Sequence, residues 1–307
     1  MLINEDAFSF IAGKIDDFEE GRSSHWRLEQ NKFTFNSNSF SDVGPMGTFS
    51  QSTSVLATIG HFLFQIPFRL FGLRYKHFFS VDKAARKIAK LQGRQYDLDL
   101  LRHVLTLVFL RKHIRIENAT TPICVIGDGY GNMTSVILAT MPKSKVIIIN
   151  LHKSLLVDLI CIKRGVPNIK YAVARSSEEL RECLSSEAVR VVAIGANDAK
   201  IITGVGLSLA INIESMMEMD PPIIQNYFDL LRSGPADTTL FYCCNLEFKK
   251  FSGEGTSNFY EYPWRDDDKI LIHETCPWTK IRYGNTFPFF SRRVSDVHRL
   301  VHLKNSN

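Results

Sequence analysis

Between residues 127 and 131 the chain alternates three glycines with two larger side chains, Gly127-Asp128-Gly129-Tyr130-Gly131. Glycine tolerates positive φ and presents bare backbone, so Gly127 and Gly129 suit a tight turn against a ligand and Gly131 lets a following helix start close by. An apolar run, Ile123 to Ile126, enters the cluster, and a helix-compatible run, Met133 to Met141, leaves it. The order is strand, turn, helix. A dinucleotide fingerprint, G-x-G-x-x-G, needs its third glycine where Asn132 stands, and no Lys-Ser/Thr follows as a P-loop requires. The spacing G-x-G-x-G fits neither.

Two further groups could move a proton. Glu218 sits in an apolar setting, Ser215-Met216-Met217-Glu218-Met219, where desolvation raises a carboxyl pKa toward the range of a general base. Capping the helix that opens at Asp220-Pro221-Pro222, or pairing with an arginine, is an equally good use for it. His273 lies in the apolar run KILIHETC, and is either a second base or a satisfied core histidine. The loop SNFYEYPWRDDD gathers Tyr260, Tyr262 and Trp264 beside Glu261 and Arg265. Flat rings against sugar C–H faces, with charged groups on the hydroxyls, would recognise a carbohydrate; core packing explains the same aromatics. The triple Asp run reads as a solvated turn, and no residue cluster has a metal-ligand spacing.

The elements that must position these groups follow from periodicity. Residues 1 to about 50 are polar, without a sustained period, and read as an irregular arm. Helical patterning dominates from about 53 to 114. From Pro122, strands alternate with helices: strands Ile123 to Ile126, Lys145 to Leu151, Lys170 to Ala174, Val189 to Gly195 and Leu207 to Ile213 are separated by helices at Ser154 to Arg164 and Ser177 to Leu184. A helix after Pro222 and a strand from Thr239 to Cys244 follow, with strand-like residues to the end. Such alternation predicts an α/β fold, a Rossmann-like doubly wound and mostly parallel sheet over residues 118–307, preceded by an arm and helical cap over 1–117. In such sheets a ligand binds beyond the carboxyl ends of the strands, near the switch point.

The whole chain is consistent with this. Its 307 residues, 45% hydrophobic and 22% charged, can bury a sizeable core. Lys plus Arg exceed Asp plus Glu by only 37 to 32, too little to argue for nucleic acid. Six cysteines without a CxxC pair fit a reducing compartment, and the acidic N-terminus lacks the basic start of an export signal, so the expected location is cytoplasmic. The apolar stretch Val55 to Leu73 is interrupted by His61, Gln65, Pro67 and Arg69, which argues against a spanning helix. A basic, Phe-rich segment on an anionic membrane surface is one reading of it. A cap or homo-oligomer helix with its apolar face buried is the reading the patterning favours.

The motif VIGDGYG resembles the first motif of class I S-adenosylmethionine-dependent methyltransferases, with Val125 where an acid is frequent. The order GDGYGN, INIESMMEMDPPIIQNYFDLL, LFYCCN and FYEYPW is more narrowly similar to a sugar O-methyltransferase family, over about Ile123 to Trp278 and including the SSHW of Ser23 to Trp26. The resemblance implies S-adenosylmethionine as cofactor and a small sugar or glycan as methyl acceptor. It implies cofactor contacts at Gly127, Asp128, Gly129, Tyr130, Gly131, Asn150, Leu151 and Asn212. It implies acceptor contacts at Glu214 and Ser215 beside Glu218. Asn150 is a departure: the family ends this strand with an acid that grips both ribose hydroxyls, and an amide grips them without charge assistance. Asn197 and Asp198 end the strand near which the fold holds adenine, either accepting from its amine or forming a turn. An NAD-dependent sugar-modifying enzyme is disfavoured by the glycine spacing and by the lack of a Tyr-x-x-x-Lys pair, and a noncatalytic scaffold using Val55 to Phe79 is the remaining alternative.

Overall fold

Continuous aliphatic runs are what a strand covered on both faces requires, and Ile123–Ile126, Val146–Asn150, Val191–Gly195 and Leu209–Ile213 form the middle of the sheet. The computed structural model describes residues 2–17, 26, 34–36, 39–41, 54–118, 120–250, 255–283, 289–292, 294 and 296–306. The main sheet comprises β1 (Leu2–Ile3), β2 (Ile123–Ile126), β3 (Val146–Asn150), β4 (Tyr171–Val173), β5 (Val191–Gly195), β6 (Leu209–Ile213), β7 (Thr238–Leu246), β8 (Lys269–Thr275) and β9 (Asp296–Lys304). Their spatial order is β1-β4-β5-β3-β2-β6-β7-β9-β8. The strands from β4 to β7 pair in parallel, whereas β1 and the β9-β8 pair are antiparallel additions at the two edges.

The chain runs outward from β2 through β3 and returns to β6 on the other side of β2. A crevice therefore opens between the carboxyl ends of β2 and β6, the switch point of a doubly wound sheet.

Helices cover both faces. On one lie α1 (Glu5–Ala12), α4 (Phe78–Leu91), α5 (Leu98–His113), α6 (Asn132–Thr140) and α7 (His152–Gly165); α2 (Val55–Phe64) and α3 (Ile66–Gly72) flank them. On the other lie α8 (Ser177–Ser185) and α9 (Pro221–Arg232). Alternate strand residues divide accordingly: Val125 and Ile148 join Ile88, Leu105 and Leu155 in one core, while Ile126 and Ile149 join Leu180 and Phe228 in the other. The helices before residue 118 thus share a core with the sheet rather than forming a core of their own.

Two expectations change. The start of the chain is not irregular throughout: Leu2 and Ile3 pair with Val173 and Ala172, and α1 follows with acids in its first turn and Ala7 and Ile11 buried. A two-residue strand and an eight-residue helix are too short for a periodicity reading, and the sheet edge supplies what propensity does not. The cap reading of Val55 to Leu73 changes too: its apolar residues divide between a buried face and one exposed on the single chain, the face that the homo-oligomer alternative would cover.

Candidate functional site

Backbone conformation explains the glycine cluster first. Gly127, Gly129, Tyr130 and Gly131 all have positive φ, from 58° to 69°. A Cβ on Gly127 would collide with Ser215 Oγ, so this glycine exists for the close approach of the segment after β6. A Cβ on Gly131 would stand 2.5 Å from Ile162 Cγ1 and 2.9 Å from the Asp158 carbonyl oxygen, so this one lets α6 start against α7. Asp128 is buried and caps α6: its carboxylate accepts from the Met133 N–H at 2.7 Å and the Thr134 N–H at 2.8 Å. Burial pushes its carboxyl pKa up, against the pull of His103.

The crevice is an open cleft of about 760 Å³. The turn contributes Gly127, Asp128 and Gly129; β3 contributes Asn150; the segment after β6 contributes Glu214, Ser215 and Glu218. Those seven expected site residues are brought together. Four more wall residues carried no sequence signal, Asp99, Arg102 and His103 on α5 and Ser154 on α7; Trp26, from the SSHW stretch of the resemblance, also borders the cleft. A His inside a helical run looks like any amphipathic residue until the helix is packed beside the turn. The rest of SSHW lies outside the described residues.

Asn150 has a specific partner. Its Nδ2 donates to Asp158 Oδ2 at 2.8 Å, and its Oδ1 accepts from the Leu151 N–H at 3.0 Å. Asp158 Oδ1 also accepts from the Gly131 N–H at 2.9 Å. The Asp158 carboxyl is held well above the usual range by burial and by repulsion from Asp128. An amide at 150 is what a buried carboxylate behind it demands. Ser154, one turn of α7 earlier than Asp158, has a buried hydroxyl without a partner among the described residues.

After β6, Glu214 holds a left-handed φ of 52°, a strained conformation for a non-glycine residue. Glu218 is buried and pairs with Lys249 Nζ at 2.5 Å. Burial raises its pKa; Lys249 opposes the rise. His103 Nδ1 has no partner among the described residues. Burial lowers the His103 pKa, while Asp128, Asp99 and Glu214 pull the other way.

Other expected residues lie elsewhere. Tyr130, Gly131 and Leu151 do not line the cleft. Asn212 is a buried tie: its Nδ2 donates to the Ile126 carbonyl at 2.9 Å, and its Oδ1 accepts from the Met216 N–H and from Asn245 Nδ2. Asn197 borders a different cleft with Lys200 and Tyr227, and the imidazole of His152 occupies the space over Gly195. Neither Asn197 nor Asp198 lines the crevice. His273 is exposed on edge strand β8, its ring against Phe259, and does not reach the crevice. Trp264 packs on Phe228 and Phe259, donates from Nε1 to the Phe259 carbonyl at 2.8 Å, and carries the Arg299 guanidinium 4.3 Å above its ring. Tyr262 is buried, Tyr260 is half exposed, and Tyr262 borders a second cleft of about 500 Å³ with Met219 and Pro221. Among the described residues no group of three or more His, Cys, Asp or Glu could hold a metal ion.

No protein-family model and no curated protein matches the sequence. Solved structures overlap it in part. A protein of the conversion of a disulfide bond into a thioacetal group during echinomycin biosynthesis is 10% identical, covering 66% of this chain and 82% of its own, with a TM-score of 0.40. Magnesium protoporphyrin IX methyltransferase of Synechocystis, with S-adenosylmethionine bound, is 10% identical over 71% of this chain and 90% of its own, TM-score 0.38. An O-methyltransferase family 2 protein of Planctomyces limnophilus in complex with apigenin is 12% identical over 60% of this chain, TM-score 0.34, and this chain spans 50% of that protein's length. The fold rests on the strand order of the chain itself.

Proposed function

We propose that this chain is an S-adenosylmethionine-dependent O-methyltransferase acting on a sugar hydroxyl, in a nucleotide sugar or a surface glycan. What carries the reading is the convergence on one switch-point crevice of the G-x-G-x-G turn, Asn150 and the segment Glu214 to Glu218, the motifs on which the family resemblance rests. The cofactor fit stands on two polar atoms on the wall that lack partners among the described residues, Ser154 Oγ and His103 Nδ1. The Gly127–Gly129 backbone, Asn150 and Ser154 would hold the cofactor, with the Ser154 hydroxyl taking over from the absent strand-end acid. Bound there, S-adenosylmethionine supplies a methyl group on a positively charged sulfur.

The chain's own part is to orient the acceptor, exclude water and take a proton. Two wall groups can take it. His103 offers a ring nitrogen, and Asp99, Asp128 and Glu214 stabilise the imidazolium that results. Glu218 is the other, with its basicity raised by burial and tempered by Lys249. The acceptor would extend past Met219 toward the cleft that Tyr262 borders. Labelled methyl transfer to a panel of nucleotide sugars and glycan fragments tests the reading. Transfer to phenols but to no sugar would remove the sugar and keep the chemistry; no transfer and no cofactor binding would remove both.

A further inference from the structure

An apolar stripe remains outside every core. Leu56, Ile59, Leu63, Ile66, Leu70 and Leu73 recur at intervals of three and four residues, and each is between 42% and 80% exposed. Gln65, between α2 and α3, keeps a right-handed helical conformation, so the stripe runs unbroken across the junction. The opposite face anchors both helices. His61 Nδ1 and the Tyr283 hydroxyl lie 2.8 Å apart, Gln65 Nε2 donates to the Tyr96 carbonyl at 2.6 Å, and the Phe64 and Phe68 rings meet Tyr283. The exposure is therefore that of a docked helix pair with one side turned outward.

Charge says what would cover it. Residues 54–91 hold seven Lys and Arg (Arg69, Arg74, Lys76, Lys83, Arg86, Lys87, Lys90) and one acid, Asp82, a net of +6 against +5 for the whole chain. Asp82 is buried and already pairs with Arg69 and Arg86. Three of the cations stand beside residues adjoining the stripe in sequence, the Arg69 and Arg86 guanidiniums 5.3 and 5.2 Å from the ring of Phe62 and Arg74 5.6 Å from Phe71, and Arg74, Lys76, Lys83, Arg86, Lys87 and Lys90 are exposed. Phe79, 71% exposed, extends the apolar surface onto α4. A second copy docked by the same face would bring like charges together without an acid to offset them. No helix among the described residues is long and apolar enough to cross a membrane.

We propose that α2, α3 and the start of α4 form a docking face for an anionic membrane surface, with the aliphatic stripe entering the headgroup boundary and the flanking Lys and Arg meeting lipid phosphates and carboxylates. The chemistry is that of an interfacial amphipathic helix, in which apolar burial and electrostatic attraction act together. The inference does not depend on the methyl-transfer reading, and it would bring the crevice to acceptors held at a membrane.

Flotation of the full chain with vesicles tests it, comparing phosphatidylcholine alone with phosphatidylcholine containing about a third phosphatidylserine. Binding is expected to the anionic vesicles at low salt, and to weaken as salt rises. The double variant Leu63→Asp/Leu70→Asp should lose it. Lys83→Gln/Lys87→Gln should weaken partitioning by on the order of twentyfold, about fivefold for each cation. If the aspartate variant is shown by its melting curve to be unfolded, Phe79→Ser supplies the apolar arm. Absence of flotation with anionic vesicles, equal flotation with neutral ones, or a dimer in sedimentation that Leu63→Asp dissociates would each overturn the proposal, the last in favour of a second copy.

Discussion

Replacing Asn150 by aspartate restores the acid that strand β3 would be expected to end with, yet the structure predicts that it harms the protein. The Asn150 amide donates to Asp158 at 2.8 Å, and the Asp158 carboxyl is already raised by burial and by Asp128. Asn150→Asp removes the amide's hydrogen bond to the Asp158 carboxyl, a loss of about 0.5–1.5 kcal/mol for a neutral acceptor and about 1.5–3 kcal/mol for an ionised one. It also sets two carboxylates in contact, where unit charges about 4 Å apart repel by roughly 4 kcal/mol at an effective dielectric of 20. Retaining a shared proton caps the cost, because each unit of pKa shift corresponds to about 1.36 kcal/mol. The expected net is destabilisation by about 3 kcal/mol at pH 8.

The sign with pH follows. A carboxyl whose folded pKa lies above its unfolded value binds protons more readily in the folded state, so stability is lost as pH rises from the unfolded pKa through the folded one. The variant should therefore approach the parent near pH 4.5 and fall away from it by pH 8. Urea unfolding at the two pH values measures this. Adding Asp158→Asn regenerates one acid and one amide, and the double variant should recover to within about 1 kcal/mol of the parent. If Asn150→Asp is as stable as the parent at pH 8, or if the swap fails to restore it, the pairing described here is wrong.

Three other outcomes follow from the same geometry. Gly131→Ala combines a left-handed φ with a Cβ 2.5 Å from Ile162, and should cost more than about 2 kcal/mol in unfolding free energy by loosening α6 against α7. Trp264→Ala should lower stability by about 2–4 kcal/mol while leaving S-adenosylhomocysteine affinity unchanged, since the ring packs on Phe228 and Phe259 and does not line the crevice; retained stability with an altered acceptor KM would return it to recognition. His103→Asn and Glu218→Gln, compared in steady-state transfer assays, should separate base from positioning group: loss of the base lowers kcat by about 10²–10⁴-fold without weakening cofactor binding, and an unchanged kcat in both would leave the proton to water.

Much of this architecture was legible because burial on two faces leaves a plain trace. The apolar runs at Ile123, Lys145, Val189 and Leu207 each became a parallel strand, ending within a few residues of where periodicity put them. The role of Gly131 was legible too, since close helix packing is what a glycine at a helix start permits. The purpose of Gly127 was not, because the side chain that fills its missing Cβ, Ser215, comes from the segment after β6, 88 positions later. Asn150 read as a weakened ribose ligand, for a sequence shows the residue and not the carboxylate behind it. His103 was invisible for a different reason. A polar residue in a helix gains chemical meaning only from the groups it faces, here Asp99, Asp128 and Glu214. The aromatic loop left recognition and core packing both open in the sequence: Tyr262 and Trp264 fall inside a local core, and composition cannot tell a stacking platform from packing.

If the switch-point crevice takes S-adenosylmethionine as proposed, the demethylated product should bind there as well. Isothermal titration of the full chain with S-adenosylhomocysteine, with NAD as the comparison ligand and Gly129→Val as the site variant, tests it most directly. Gly129 has a φ of 58° and borders the crevice, so a branched side chain there distorts the turn. Saturable one-to-one binding of S-adenosylhomocysteine is expected, with no heat from NAD and at least a tenfold loss in a Gly129→Val protein whose melting curve shows it folded. Saturable NAD binding with none for S-adenosylhomocysteine, or unchanged affinity in the folded variant, would contradict the proposal.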